Sequence, residues 1–285
     1  MRFLVISEDT PYFQWQIELL IESFKFSKLE DKLSIYLIQT ENSVEAIKKN
    51  INQHSDIVYY KSNKLKNGSV NFDFHNCVLD FRKRFPIEDF VILDTDMFLK
   101  DFNHEDFYNE HLTYQISQNQ NKDLDLILNF SKSKYNFNFN QMTSVIYFNT
   151  MISYNFFESA FPIIEDLVKI AFFCNIDNED YAPHYDLYKY AYLILALMYK
   201  VKATSSYKFL NYVYEGEESK INFISYKHDI KPYFYKKNYY QKNFKNLSLH
   251  YADPFENFMD LPDFVYCSFI KKIVSNYMNF QNFSA

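Results

Sequence analysis

The chain has 285 residues, 48% of them hydrophobic and 23% charged, enough to bury the core of one large α/β domain or of one domain with a small appendage. Its net charge of −6 argues against broad electrostatic attraction to nucleic acid or to an anionic membrane. The cysteines, Cys77, Cys174 and Cys267, lie far apart without metal-ligand spacing, which excludes a disulfide framework and fits a reducing compartment.

In chain order, residues 3–6 read as a buried strand. Thr10 and Pro11 then supply an N-cap and a first-turn proline for a helix running to about Ser27. A strand over 32–39, a helix over 43–50, a strand over 56–60 and a helix over 72–85 ended by Pro86 follow, and then a strand over 89–93. This alternation predicts a mostly parallel central sheet covered on both faces. From 103 to 140 the chain turns polar and rich in asparagine around an apolar patch at 124–130, and reads as a surface excursion near the acceptor side. A strand over 144–149, helices over 162–173 and 186–199, short strands and Lys- and Tyr-rich loops from Phe223, and a last helix over 264–277 complete the pattern.

Aromatic residues make up 20% of the chain, with 26 Tyr and 31 Phe against 2 Gly, a bias that reads as AT-rich coding and makes packing the first explanation of any one ring. The opening segment Met1-Arg2-Phe3-Leu4-Val5-Ile6-Ser7 is too short and too strand-like for a secretory signal. The longest apolar run, Ala191 to Val201, is broken by tyrosines and Lys200 and falls short of a membrane span, so a cytoplasmic protein without an anchor is expected. With no repeat and no flexible linker, the expectation is a single domain over 1–285: a nucleotide-binding half over 1–100, an acceptor half over 101–255 and a C-terminal helix over 256–285.

Chemistry concentrates at Asp94-Thr95-Asp96, where the apolar run Asp89-Phe90-Val91-Ile92-Leu93 opens into a loop. Side chains two apart on extended backbone share a face, so both carboxylates are expected to reach one hard divalent cation. Taken alone, such a pair reads as readily as a solvated acidic turn. Its place at the end of a strand in an α/β pattern points instead to a metal presented to a sugar diphosphate, whose leaving charge the cation neutralises. His250 and His228 are the candidate third ligands, with His250 favoured by its place after the apolar segment 247–249.

Asp186, opening the apolar helix, is the candidate acid near the transferred sugar; a carboxylate complementing the helix dipole is the competing explanation. Arg82, Lys83 and Arg84 form a basic cluster from which Arg82 is the candidate for the diphosphate. Ser7, Glu8 and Asp9 end the first strand, where open α/β sheets bind nucleotides. The segment 227–245 interleaves Lys with Tyr and Phe and reads as ordinary surface, although such a pattern also stacks bases or sugars.

Four blocks, in order, carry a resemblance: Pro11-Tyr12-Phe13-Gln14-Trp15-Gln16 with Glu22-Ser23-Phe24; Val91-Ile92-Leu93-Asp94-Thr95-Asp96-Met97; Asp186-Leu187-Tyr188-Lys189-Tyr190-Ala191; and His250-Tyr251-Ala252-Asp253-Pro254-Phe255. Together they resemble the plant and algal hydroxyproline O-arabinosyltransferases and peptidyl-serine galactosyltransferases. The resemblance implies a GT-A fold, a UDP-sugar donor, Mn²⁺ (or Mg²⁺) dependence and retention of anomeric configuration. It also implies Asp94, Asp96 and His250 as metal ligands and Asp186 as the acid. Leu187 stands where that family has methionine, Lys189 intrudes, and the membrane anchor of the plant enzymes is absent. A short, anchorless, AT-biased chain of this kind suits a bacterium or a virus.

The expected function is therefore a metal-dependent glycosyltransferase moving a sugar from a UDP-sugar to a hydroxyl on a protein side chain, a glycan or a hydroxymethylated DNA base. A sugar-nucleotide pyrophosphorylase would want a Gly-rich phosphate loop after the first strand, and the only glycines are Gly68 and Gly216. A non-catalytic carbohydrate- or protein-binding module on a transferase fold is the alternative from another class.

Overall fold

The computed structural model describes residues 1–39, 43, 51, 54–62, 69–107, 110–114, 122–136, 145–173, 187–205, 210–212, 223–225, 272 and 275. In chain order the elements are β1 (Arg2–Glu8), α1 (Pro11–Phe26), β2 (Leu33–Gln39), β3 (Ile57–Lys61), α2 (Ser69–Arg84), β4 (Phe90–Leu93), β5 (Met97–Leu99), β6 (Leu112–Tyr114), α3 (Lys122–Tyr135), β7 (Val145–Phe148), α4 (Tyr154–Glu158), α5 (Phe161–Phe173), α6 (Leu187–Met198), β8 (Ala203–Ser205), β9 (Leu210–Tyr212) and β10 (Phe223–Ser225).

A seven-stranded sheet has the order β3-β2-β1-β4-β7-β6-β8. β1 lies parallel to β2, from Phe3 opposite Leu33 to Glu8 opposite Ile38, and parallel to β4, from Arg2 opposite Phe90 to Val5 opposite Leu93. β7 is antiparallel to both its neighbours, β4 and β6, while β6 and β8 are again parallel. A second sheet of three strands, β5-β10-β9, begins directly after the acidic turn. The architecture is a mostly parallel sheet with flanking helices, as the α/β alternation of the first hundred residues leads one to expect.

Alternation along β1 sorts the core into two layers. Phe3 and Val5 face α1, packing with Ile17, Leu20, Ile21 and Phe24 and with Leu99 of the small sheet. Leu4 and Ile6 face the other way, into a larger core built from α2, α4, α5 and α6 and including Val78, Phe81, Phe157, Leu193 and Ile194. With both faces covered, β1 is apolar along its whole middle, which is why it reads as an uninterrupted run.

Helix ends in this glycine-poor chain are closed by other residues. Lys28 (φ 56°), Asn136 (φ 55°) and Lys200 (φ 53°) take the left-handed conformation after α1, α3 and α6. After α1 and α6 the returning amides, Leu29 to the Phe24 carbonyl at 2.9 Å and Val201 to the Ala196 carbonyl at 2.7 Å, complete the cap that glycine usually provides. Each lysine sits there at a steric cost of about 1 kcal/mol, offset by carbonyls that would otherwise lack partners.

The expected surface excursion over 103–140 is corrected. It holds a 3-10 turn at His104–Phe107, sheet strand β6 and helix α3, with Phe107, Leu112 and Ile127 fully buried. The expected helix over 43–50 lies outside the described residues apart from Ser43, and of the expected C-terminal helix only Lys272 and Ser275 are described, both helical. Among the described residues no helix is long and apolar enough to cross a membrane.

Candidate functional site

The strand order creates the site. From β1 the chain moves to β2 and then β3 on one side, and returns to β4 on the other, so the switch point lies between β1 and β4. Loops leaving the carboxyl ends of two such strands diverge and open a crevice, which is where open α/β sheets take their ligands. Ser7, Glu8 and Asp9 come to this edge from β1, and Asp94, Thr95 and Asp96 from β4.

β4 ends at Leu93, and Thr95 and Asp96 form a turn between β4 and β5. The two-residue alternation of extended backbone therefore does not govern the carboxylates; the turn does. α1 holds that turn. Thr95 Oγ1 donates to Gln16 Oε1 at 2.6 Å, and the Leu99 amide donates to Ser23 Oγ at 3.0 Å, which in turn donates to the Leu20 carbonyl at 2.6 Å. On the β1 side, the Asp9 amide donates to the Ile38 carbonyl at 2.8 Å and Gln14 Nε2 donates to Asp9 Oδ1 at 3.0 Å, both side chains being buried. The Gln14, Gln16 and Ser23 positions of the N-terminal block thus form the frame of the crevice.

Asp94 keeps a fifth of its side chain exposed, 22%, while Lys189 beside it keeps 4%, with Nζ 2.8 Å from Asp94 Oδ1. Lys189 comes from α6, a helix buried from Leu187 to Ala196, and the amide of Tyr188 in its first turn donates to Asn71 Oδ1 of α2 at 3.2 Å. A buried ammonium needs a carboxylate, and Asp94 supplies it. Asp96 is buried at 7% exposure. Burial also pushes the Glu8 carboxyl above the usual glutamate range. Ser7 is buried, with its hydroxyl donating to the Glu8 carbonyl at 3.2 Å.

Arg82 is not brought to this edge. α2 runs antiparallel to the strands it connects, so its last turn lies at the amino-terminal edge of the sheet, opposite Asp94. There the buried guanidinium donates to the carbonyls of Glu88 at 2.5 Å, Ile152 at 2.8 Å, and Phe85 and Thr150 at 3.3 Å, tying the entry of β4 to the exit of β7. Arg84 is likewise engaged with Asp56 at 2.5 Å and the Tyr36 hydroxyl at 3.0 Å. Asp186, His228 and His250 lie outside the described residues.

Among the described residues no group of three His, Cys, Asp or Glu side chains forms a metal cage. The hard oxygen donors of Asp94 and Asp96 are nonetheless of the type a divalent cation takes. Sequence reasoning noted Lys189 only as an intrusion and gave it no role, although a lone cation in an apolar helix is itself a signal that a buried carboxylate waits for it.

No family model matches the chain. Among solved structures it is similar to the galactosyltransferase LgtC in complex with donor and acceptor sugar analogs, at 12% identity and a TM-score of 0.44, over 81% of this chain and 89% of that one. It is similar to an active-site mutant of LgtC at 11% identity and a TM-score of 0.44, over 82% and 89%. These likenesses are distant, and the architecture described above is defined by the strand order and directions of the chain itself.

Proposed function

We propose that the protein transfers a sugar from a UDP-sugar to a hydroxyl acceptor, with retention of configuration, in the crevice between the carboxyl ends of β1 and β4. The observation that carries this reading is the placement of the acidic turn Asp94-Thr95-Asp96 at the switch point of a mostly parallel sheet, braced by Gln16 and Ser23.

A divalent cation, Mn²⁺ or Mg²⁺, held by Asp94 and Asp96 with His250 as third ligand, would supply neutralisation of the leaving diphosphate. The chain's own residues do the rest. Ser7, Glu8 and Asp9 line the nucleotide side. Asp186, directly before α6, is the acid at the transferred sugar. The acceptor is a hydroxyl of a protein side chain, a glycan or a hydroxymethylated DNA base.

Thermal unfolding with UDP, GDP and CMP, each with and without Mn²⁺, tests the reading. UDP and Mn²⁺ together should raise the melting temperature far more than the sum of their separate effects, because the cation couples the two binding events. Asp96→Asn should remove the excess. Additive shifts, or an unchanged excess in Asp96→Asn, would contradict a shared site. Synergy without metal-dependent UDP-sugar hydrolysis would instead favour a binding module on a transferase fold.

A further inference from the structure

Lys189 stands out because it is out of place in its own helix. α6 is buried from Leu187 to Ala196, and every other residue in that stretch is aliphatic, alanine or tyrosine. Burying an ammonium there is costly unless a carboxylate answers it. The answering group is one of the two carboxylates of the acidic turn, 2.8 Å away, and 95 residues distant in sequence. The charge is aimed at the crevice.

We propose that Lys189 is a resident counter-cation of the acidic turn, a positioning residue that suppresses binding of a divalent cation until a nucleotide diphosphate brings its own negative charge. The inference rests on the reading of the crevice as a nucleotide-sugar site. Asp94 and Asp96 alone offer two negative charges to a cation. With Lys189 against Asp94 the net charge they present is halved, and an incoming divalent ion also meets the like charge of the ammonium across a partly buried gap, where repulsion is weakly screened. A bound diphosphate restores the missing negative charge. Metal and nucleotide are thereby made to bind together, and the ammonium holds the Asp94 carboxylate in one place in the absence of both.

Titration calorimetry with Mn²⁺ alone, and with Mn²⁺ in the presence of saturating UDP, separates the possibilities. Lys189→Met keeps an unbranched apolar stem and removes the charge, Lys189→Gln keeps a hydrogen-bond donor for Asp94 without the charge, and Lys189→Arg keeps the charge. The two neutral variants should bind Mn²⁺ alone at least about tenfold more tightly than the natural protein, while Lys189→Arg stays close to it. If Lys189→Met does not fold, as judged by its melting transition, the comparison of Gln with Arg still decides. Unchanged or weaker affinity for Mn²⁺ alone in the neutral variants, with Mn²⁺ and UDP still binding together, overturns the inference and leaves the proposed function standing. Absence of Mn²⁺ binding in every variant, with UDP or without it, overturns both.

Discussion

Two buried titratable residues on the same face of the sheet show how differently a charge is handled in this core. The Lys189 ammonium is met by the Asp94 carboxylate 2.8 Å away. His75 of α2 has no such partner: its ring packs edge-on to Phe161 at 4.5 Å between centroids, and its Nδ1 shares a 2.8 Å hydrogen bond with the Tyr192 hydroxyl. Burial alone pulls its pKa down to about 3. The unfolded chain takes up this proton below about pH 6.5, whereas the folded protein refuses it until about pH 3. The stability this neutral ring allows is therefore whole above pH 6.5 and is lost as pH falls toward 3, by up to about 1.4 kcal/mol per pH unit. Urea unfolding between pH 7 and pH 4.5 should show a shallower loss of stability for His75→Phe than for the natural protein, by up to one proton's worth. Equal slopes would mean that the ring titrates normally.

The elements deliver these residues, and their directions explain what was legible in the sequence. The strand ending in Asp94 was legible because a buried parallel strand is an unbroken apolar run, and β4 is buried throughout. The helix of Pro11 to Phe26 was legible from its proline and N-cap position. Arg82 was misplaced because its sequence distance to the acidic turn is short. The helix that carries it runs back along the sheet, so proximity in sequence became opposition in space. β6 escaped because three residues are too few to show alternation, and α3 because its polar exposed face dominates its composition.

α6 poses the sharpest question at this scale, since Asp186 directly precedes its first residue, Leu187. If Asp186 acts at the sugar, Asp186→Asn should lower turnover on the order of 10²-fold or more while UDP binding survives. If it serves only the helix dipole, the variant should lose about 0.3–1 kcal/mol of stability with turnover nearly unchanged. Melting temperature and UDP-sugar turnover measured on the same preparation distinguish the two.

At the scale of the whole molecule, the site follows from topology more than from any one side chain. The order β3-β2-β1-β4 fixes a switch point, and the switch point fixes which loops form a crevice. The sequence predicted a parallel sheet, yet the order of its strands is set by pairings that no local pattern reveals. The 95-residue span between Lys189 and Asp94 is a consequence of the same fact: the ion pair exists only once α6 has packed on the sheet. Function is accordingly read from the place where strand order, the acidic turn and the buried lysine coincide. The most direct measurement is a crystal structure of the protein grown with UDP and Mn²⁺. The account predicts the diphosphate and the metal at Asp94 and Asp96, with the uridine along Ser7, Glu8 and Asp9. Nucleotide bound at any other edge of the sheet, or a metal that leaves both aspartates untouched, would contradict it.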